Sequence, residues 1–154
     1  MRAVSPARGE TMEDPRPHHY LAVYGDPDAP GHVAVESGRY GHRNQPRSLA
    51  PGDMVLLYCT GTYREYPQSA PGIGIVTEVD WADRSFRYDY LPFREPAPLE
   101  ALRFGFEPPD AWKLANIRFD TYWFFRISAE SFRAIAQGAR LGAPGGDAQG
   151  RLEP

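Results

Sequence analysis

Between Ser37 and Gly52 the chain carries Arg39, Arg43, Arg47 and His42 but neither Asp nor Glu. A positive segment inside a chain of formal charge −3 is suited to an anionic or hydrogen-bonding ligand. The same stretch supplies Tyr40, with a ring face and a phenol, and Asn44, which offers a donor and an acceptor at once. It runs into the turn Pro51-Gly52-Asp53, which launches Met54-Val55-Leu56-Leu57-Tyr58-Cys59-Thr60, an apolar run ending in small hydrogen-bonding residues.

Other reactive side chains form weaker constellations. His18 and His19 are adjacent, and on an extended strand they point to opposite faces, which is poor geometry for joint metal ligation. Convergence with His32 and His42 would need the tertiary fold to bring them together. Cys59 is the only cysteine, which rules out an internal disulfide, and inside an apolar strand it reads as a small buried hydrophobe. Ser37, Ser48 and Ser69 lack a nucleophile-elbow context, and Gly72-Ile73-Gly74 lacks the third glycine of a dinucleotide fingerprint. The residues imply no cofactor and no metal.

The elements that must position these groups are short. Sixteen Pro and fifteen Gly in 154 residues imply many turns. Residues 1–17 and 138–154 are poor in large apolar side chains and read as a disordered leader and a Gly/Pro-rich tail around one domain, 18–137. Strands are expected at 20–24, 54–60 and 73–80, then at the Phe86-Tyr88-Tyr90 alternation, and finally at 122–127. In the last, Trp123, Phe125 and Ile127 share one face, and Tyr122, Phe124 and Arg126 the other. Gly74 marks a bulge or a close backbone approach. Ser128 caps a helix carrying Phe132 and Ile135, with Gly138 as its stop, and a shorter helix covers 98–103. Trp112 and Trp123 read as core. This is an α+β chain: a small mixed β-barrel of about five to six strands with short peripheral helices. No apolar run is long enough to span a membrane and no secretory signal opens the chain, so the cytoplasm is the default compartment.

In this order the motifs resemble the EVE domain, a member of the PUA-like superfamily. That family opens with a strand of the form Tyr-Trp-Leu-Phe followed by Lys-Ser-Glu-Pro, and here Tyr20-Leu21-Ala22-Val23 precedes Tyr24-Gly25-Asp26-Pro27. Its Trp-x-Gly-Val-Arg-Asn segment is similar to Tyr40-Gly41-His42-Arg43-Asn44, and its Gly-Asp turn with a Phe-Tyr-His-Ser strand end to Gly52-Asp53 and Leu57-Tyr58-Cys59-Thr60. Gly72-Ile73-Gly74-Ile75-Val76-Thr77-Glu78-Val79, and Phe125-Arg126-Ile127-Ser128 leading into Phe132-Arg133-Ala134-Ile135, complete the likeness over residues 20–137. Tyr24-Gly25 replaces Lys-Ser, Tyr40 replaces Trp, the segment after Asn44 is shorter, and the 61–71 loop is longer.

The resemblance implies a non-enzymatic domain whose pocket receives a nucleobase, modified in the expected case, extruded from DNA or RNA. It places Tyr24, Gly25, Asp26, Tyr40, Arg43, Asn44, Tyr58 and Thr60 at the ligand and Arg39 and Arg47 at flanking phosphates, where Arg64 is expected as well. Arg64, with Tyr63 and Tyr66, sits in the long loop, which reads as a lid, a wedge or a plain surface hairpin. Each site residue also has a structural reading: Tyr58 as core, Tyr24 as a sheet-edge cap, Asp26 as a turn starter, Asn44 as a support for its own loop, and Arg47 as a solvated charge. Three other functions stay open: a pocket for a free nucleoside or nucleotide, a hydrolase using Asp26 as base, and a protein-interaction module built on the 61–71 loop.

Overall fold

The computed structural model of the chain describes residues 16–117 and 121–139. Six strands form one sheet: β1 (His19–Tyr24), β2 (Arg39–Gly41), β3 (Met54–Cys59), β4 (Ser69–Asp80), β5 (Ser85–Pro98) and β6 (Phe124–Ile127). Their spatial order is β2-β5-β4-β3-β1-β6. Among the described strands only β1 and β3 run parallel, with Tyr20 opposite Val55 and Val23 opposite Tyr58. Three helices follow β5 or β6: α1 (Leu99–Gly105), α2 (Pro108–Leu114) and α3 (Ala129–Ala139). Among the described residues no helix is long and apolar enough to cross a membrane.

The sheet curls into a half-barrel because β4 and β5 are long and interrupted. Their register shifts between Ala70 and Gly72 and again between Val76 and Glu78, and such irregularities bend and twist a strand. The curl brings the edge strands together: the Tyr40 hydroxyl on β2 donates to the Trp123 carbonyl beside β6 at 3.0 Å. Both faces of the central strands are therefore covered, which explains why β1 and β3 read as nearly unbroken apolar runs. Leu21, Val23, Leu56 and Tyr58 face outward, under Leu102, Leu114, Phe132 and Ile135 of the helices. Tyr20, Ala22, Tyr24, Leu57 and Cys59 face inward, with Tyr40, Tyr63, Phe86, Tyr88 and Phe124.

Two polar clamps join these layers. Asp53, fully buried at the turn before β3, takes Arg16 on both carboxylate oxygens at 2.7 and 2.8 Å and the backbone N–H groups of His18 and Ala50 at 2.9 Å each. Asp110 on α2 accepts from the Ser128 N–H at 3.0 Å and the Ser131 hydroxyl at 2.7 Å. Ser128 caps α3 as expected, its hydroxyl oxygen accepting the Ser131 N–H at 3.0 Å.

Several sequence expectations need correction. Arg39–Gly41, outside the expected strands, is a strand, and α2 is a helix beyond the two expected. The expected 61–71 loop ends at Gln68, because Ser69 already opens β4. Tyr63 within it is buried, and its phenol oxygen accepts the Val35 N–H at 3.0 Å, so the loop is pinned to the fold. Trp112 is 59% exposed, not core. Gly138 lies inside α3. The leader and tail fall outside the described residues at 1–15 and 140–154, whereas Arg16 and Gly138 belong to the fold.

Gly74 is the close approach its position implies. A Cβ there would lie 2.5 Å from Tyr88 Cδ2 and 2.7 Å from Cγ. The ring cannot swing away cheaply, since its hydroxyl is held by the Val35 carbonyl at 2.6 Å and by Tyr24 at 2.7 Å. Gly74→Ala is expected to cost about 1–3 kcal/mol by overpacking, read from urea unfolding midpoints. A variant as stable as the parent would mean that the Tyr88 ring is not held.

Candidate ligand-binding cleft

Where the two sheet edges meet, a cleft of about 910 Å³ opens to solvent. Its volume falls in the upper part of the range of about 300–1,000 Å³ that small-molecule sites occupy. Tyr24 and Gly25 at the end of β1 form one wall, and Arg39, Tyr40 and Arg43 on and after β2 form another. The β4–β5 hairpin adds Arg84, Phe86 and Arg87, and Trp123 closes the side next to β6. A Cβ at Gly25 would come within 3.2 Å of Trp123 Cη2, so the indole packs closely over this backbone.

The phenols at this site are consumed by the fold. Tyr88 gives its hydrogen to the Val35 carbonyl at 2.6 Å, so Tyr24 must donate in the 2.7 Å hydroxyl pair between them. Tyr40 donates to the Trp123 carbonyl. Burial pushes the Tyr24 and Tyr88 phenols well above their ordinary range, with the neighbouring tyrosine adding to the effect at Tyr24. Tyr24, Tyr40 and Phe86 are themselves buried, at 3%, 7% and 1% exposure, so they back the cleft, and the ring surface a ligand can reach belongs to half-buried Trp123. The rings are mutually braced, Tyr40 lying 4.9 Å from Tyr24 and 5.5 Å from Phe124 between centroids.

Four arginines and three carboxylates line the cleft, and the carboxylates are engaged within the hairpin. Asp80 Oδ1 accepts the Asp83 N–H at 3.0 Å, and Asp83 Oδ2 accepts the Ser85 hydroxyl at 3.2 Å. Glu78 faces Arg87 at 3.7 Å across an exposed pair, which contributes little stability. Arg84 reaches back to the Arg43 carbonyl at 3.1 Å, tying the hairpin to the arginine segment. His42 Nδ1 accepts the Asn44 N–H at 3.1 Å, so the neutral ring carries its proton on Nε2.

The expected site residues are thus divided. Tyr24, Gly25, Arg39, Tyr40 and Arg43 meet at the cleft. Tyr58 does not: it is opposite Val23 and shares its outward face, away from Tyr24 and Tyr40. Burial raises its phenol to about 12. Asp26 is a turn residue, its Oδ1 accepting the Asp28 N–H at 2.9 Å. The Thr60 hydroxyl bonds Thr62 at 2.9 Å, and its N–H donates to the Tyr24 carbonyl at 2.9 Å. Asn44, Arg47 and Arg64 are exposed and lie outside the cleft lining.

Residues not singled out for the ligand fill the gaps. Trp123, Arg84 and Arg87 line the cleft, as do His32 and His42. The two histidines do meet at one cleft, yet among the described residues no group of three or more His, Cys, Asp or Glu could hold a metal ion. His42 was visible within the Tyr40–Arg47 segment, whereas Trp123 and Arg84 reach the cleft only through long-range pairing.

No family model matches the chain, and no curated protein does. A solved structure of a hypothetical protein from Leishmania major is similar over 79% of this chain and 94% of that one, with a TM-score of 0.52 and 14% identity. At that identity the likeness concerns the fold alone.

Proposed function

We propose that this chain is a PUA-like binding domain of the EVE type that receives a nucleobase, modified in the expected case, from a DNA or RNA strand. The observation that carries the reading is the cleft at the seam of the half-barrel, with half-buried Trp123 at its side and Arg39, Arg43, Arg84 and Arg87 around it. Flat ring surface suits a heterocycle and guanidinium groups suit the phosphates on either side. With the Tyr24 and Tyr40 hydroxyls engaged elsewhere, the base edge falls to the histidines and to the backbone at Gly25 and Gly41. Asp26, Asn44, Tyr58 and Thr60 lie outside the cleft lining and drop out of the contact set. A hydrolase with Asp26 as its base loses its rationale, since that carboxylate serves a turn outside the cleft.

A second reading, a free nucleoside or nucleotide as ligand, is favoured by the cleft volume and by the three carboxylates among its lining residues. Fluorescence anisotropy separates the two. Short DNA and RNA strands, plain and base-modified, are compared with free nucleosides at low and physiological salt. Preference for one modified base that survives physiological salt supports a reader of strands. Salt-insensitive binding of the nucleoside alone supports the second reading, because strand binding falls steeply with salt. Binding of neither removes both.

Arg43→Ala is expected to weaken all strands alike by roughly tenfold and to reduce the salt slope by about one. Tyr58→Ala should lower stability and leave base preference unchanged. An unaltered salt slope in Arg43→Ala would remove that residue from the phosphate contacts.

A further inference from the structure

The turn that joins β4 to β5 is Trp81-Ala82-Asp83-Arg84. Trp81 is 46% exposed at this turn, while Asp80 and Asp83 to either side of it line the cleft. A half-exposed tryptophan on a turn forgoes part of the largest apolar burial any side chain can give. The other exposed large rings among the described residues lie on the helical layer: Trp112 on α2, 59% exposed, packs edge-on against Tyr122 at 5.5 Å, and Phe104 in the last turn of α1 is 96% exposed. Trp81 alone among these three has cleft-lining residues next to it in the chain, although it is not itself part of the lining.

The turn that bears it is fixed in place. The Asp80 carboxylate holds the Asp83 N–H, and Asp83 holds Ser85. Arg84 adopts a left-handed backbone with φ 53°, uncommon for a residue with a side chain. Its carbonyl accepts the His42 N–H at 3.1 Å, and its guanidinium donates to the Arg43 carbonyl at 3.1 Å. A Cβ on Gly41 would lie 3.2 Å from that same carbonyl, so the turn and β2 are in close contact. The indole is thereby carried on a support anchored to the arginine segment of the cleft.

We propose that Trp81 is a stacking wedge that enters a nucleic-acid strand next to the nucleotide held in the cleft. The inference rests on the strand-binding reading above and adds a residue and a role to it. A base drawn into the cleft leaves its former neighbours unstacked, which costs a few kcal/mol. An aromatic ring at the rim offsets that cost by stacking on the exposed neighbour, irrespective of its sequence. Apolar side chains inserted between base steps act in the same way in proteins that bend DNA. Arg84 and Arg87, on the same hairpin, supply positive charge for the phosphates that such an insertion brings close, set against the charge of Asp80 and Asp83, each of which accepts one hydrogen bond within the turn.

The test uses the full chain and three substitutions, Trp81→Ala, Trp81→Leu and Trp81→Phe. The probes are twelve-nucleotide strands carrying 5-methylcytosine, N6-methyladenine or only plain bases, with 2-aminopurine beside the central position. The corresponding free nucleosides are measured in parallel. Strand affinity is expected to fall roughly tenfold in Trp81→Ala and Trp81→Leu, with Trp81→Phe close to the parent. Free-nucleoside affinity stays constant, and the quenching of 2-aminopurine by the parent is lost in the Ala and Leu variants. Trp81→Leu guards against a trivial loss of packing, since it retains apolar bulk without a π-face.

If the parent binds strands and the Leu variant binds them equally well, the wedge is wrong and the reader stands. An equal loss toward strands and nucleosides would mean that Trp81 only shapes the cleft, which also overturns the wedge. If the parent binds no strand, the functional reading itself fails and the wedge with it.

Discussion

Replacing Asp53 with alanine is expected to destabilise the fold by about 3–5 kcal/mol, the loss typical of breaking a buried charged interaction. The carboxylate has no exposed surface and accepts four hydrogen bonds: two from Arg16 and one each from the His18 and Ala50 N–H groups. Arg16 is 48% exposed and rehydrates when its partner is removed. The main cost lies with the two backbone donors, one of them on buried His18, each worth about 1.5–3 kcal/mol when bonded to a charged acceptor. Asp53→Asn keeps the shape and one acceptor oxygen, and so should lose about half as much. In thermal unfolding the alanine variant should melt about 10–15 °C below the parent. A shift of under about 3 °C would mean that water replaces the carboxylate at both N–H groups. The same substitution loosens the start of β1 and the turn before β3, the parallel pair at the centre of the sheet.

Sequence periodicity revealed the strands with a strong internal pattern but not the pairing between them. Phe86, Tyr88 and Tyr90 announced an inward face by alternation, and Gly74 announced a close approach that Tyr88 fills. Arg39–Gly41 has one apolar residue in three and is a strand only because β5 pairs with it. Parity misled the site assignment. Tyr24 ends β1 and Tyr58 is the last residue but one of β3, and the parallel register puts Tyr58 level with Val23, so the two rings leave the sheet on opposite sides. No local pattern contains that register. Arg84 and Trp123 reach the cleft from segments 40 and 80 residues beyond Arg43 or so, and only the closing of the curl brings them there. The arginine segment was legible because its lack of acidic residues is a local property, and three of the five expected residues that do line the cleft, Arg39, Tyr40 and Arg43, come from it.

Above pH 10 the protein is expected to unfold cooperatively, with its tyrosines ionising together rather than one by one. Burial raises the phenols of Tyr20, Tyr24, Tyr88 and Tyr90, and moves those of Tyr58, Tyr63 and Tyr66 to about 12. An unfolded tyrosine titrates near pH 10. Between that value and the raised folded values the unfolded chain binds fewer protons than the folded one, so stability falls as pH rises. The contribution is fully present below pH 10 and is lost on the way up through the folded pKa. For the deeply buried pair Tyr24 and Tyr88 alone the slope is about 1.4 kcal/mol per group per pH unit. Against a typical net stability of about 5–15 kcal/mol, the wider set should bring the transition between about pH 11 and 12. Tyrosinate absorbance and circular dichroism should then change together in one step. Independent titration of most phenols near pH 10 with the sheet intact would show that the half-barrel interior is open to water. The walls of the cleft are part of that interior, through Tyr24 and Tyr40, so ligand binding and the sheet should be lost in the same transition.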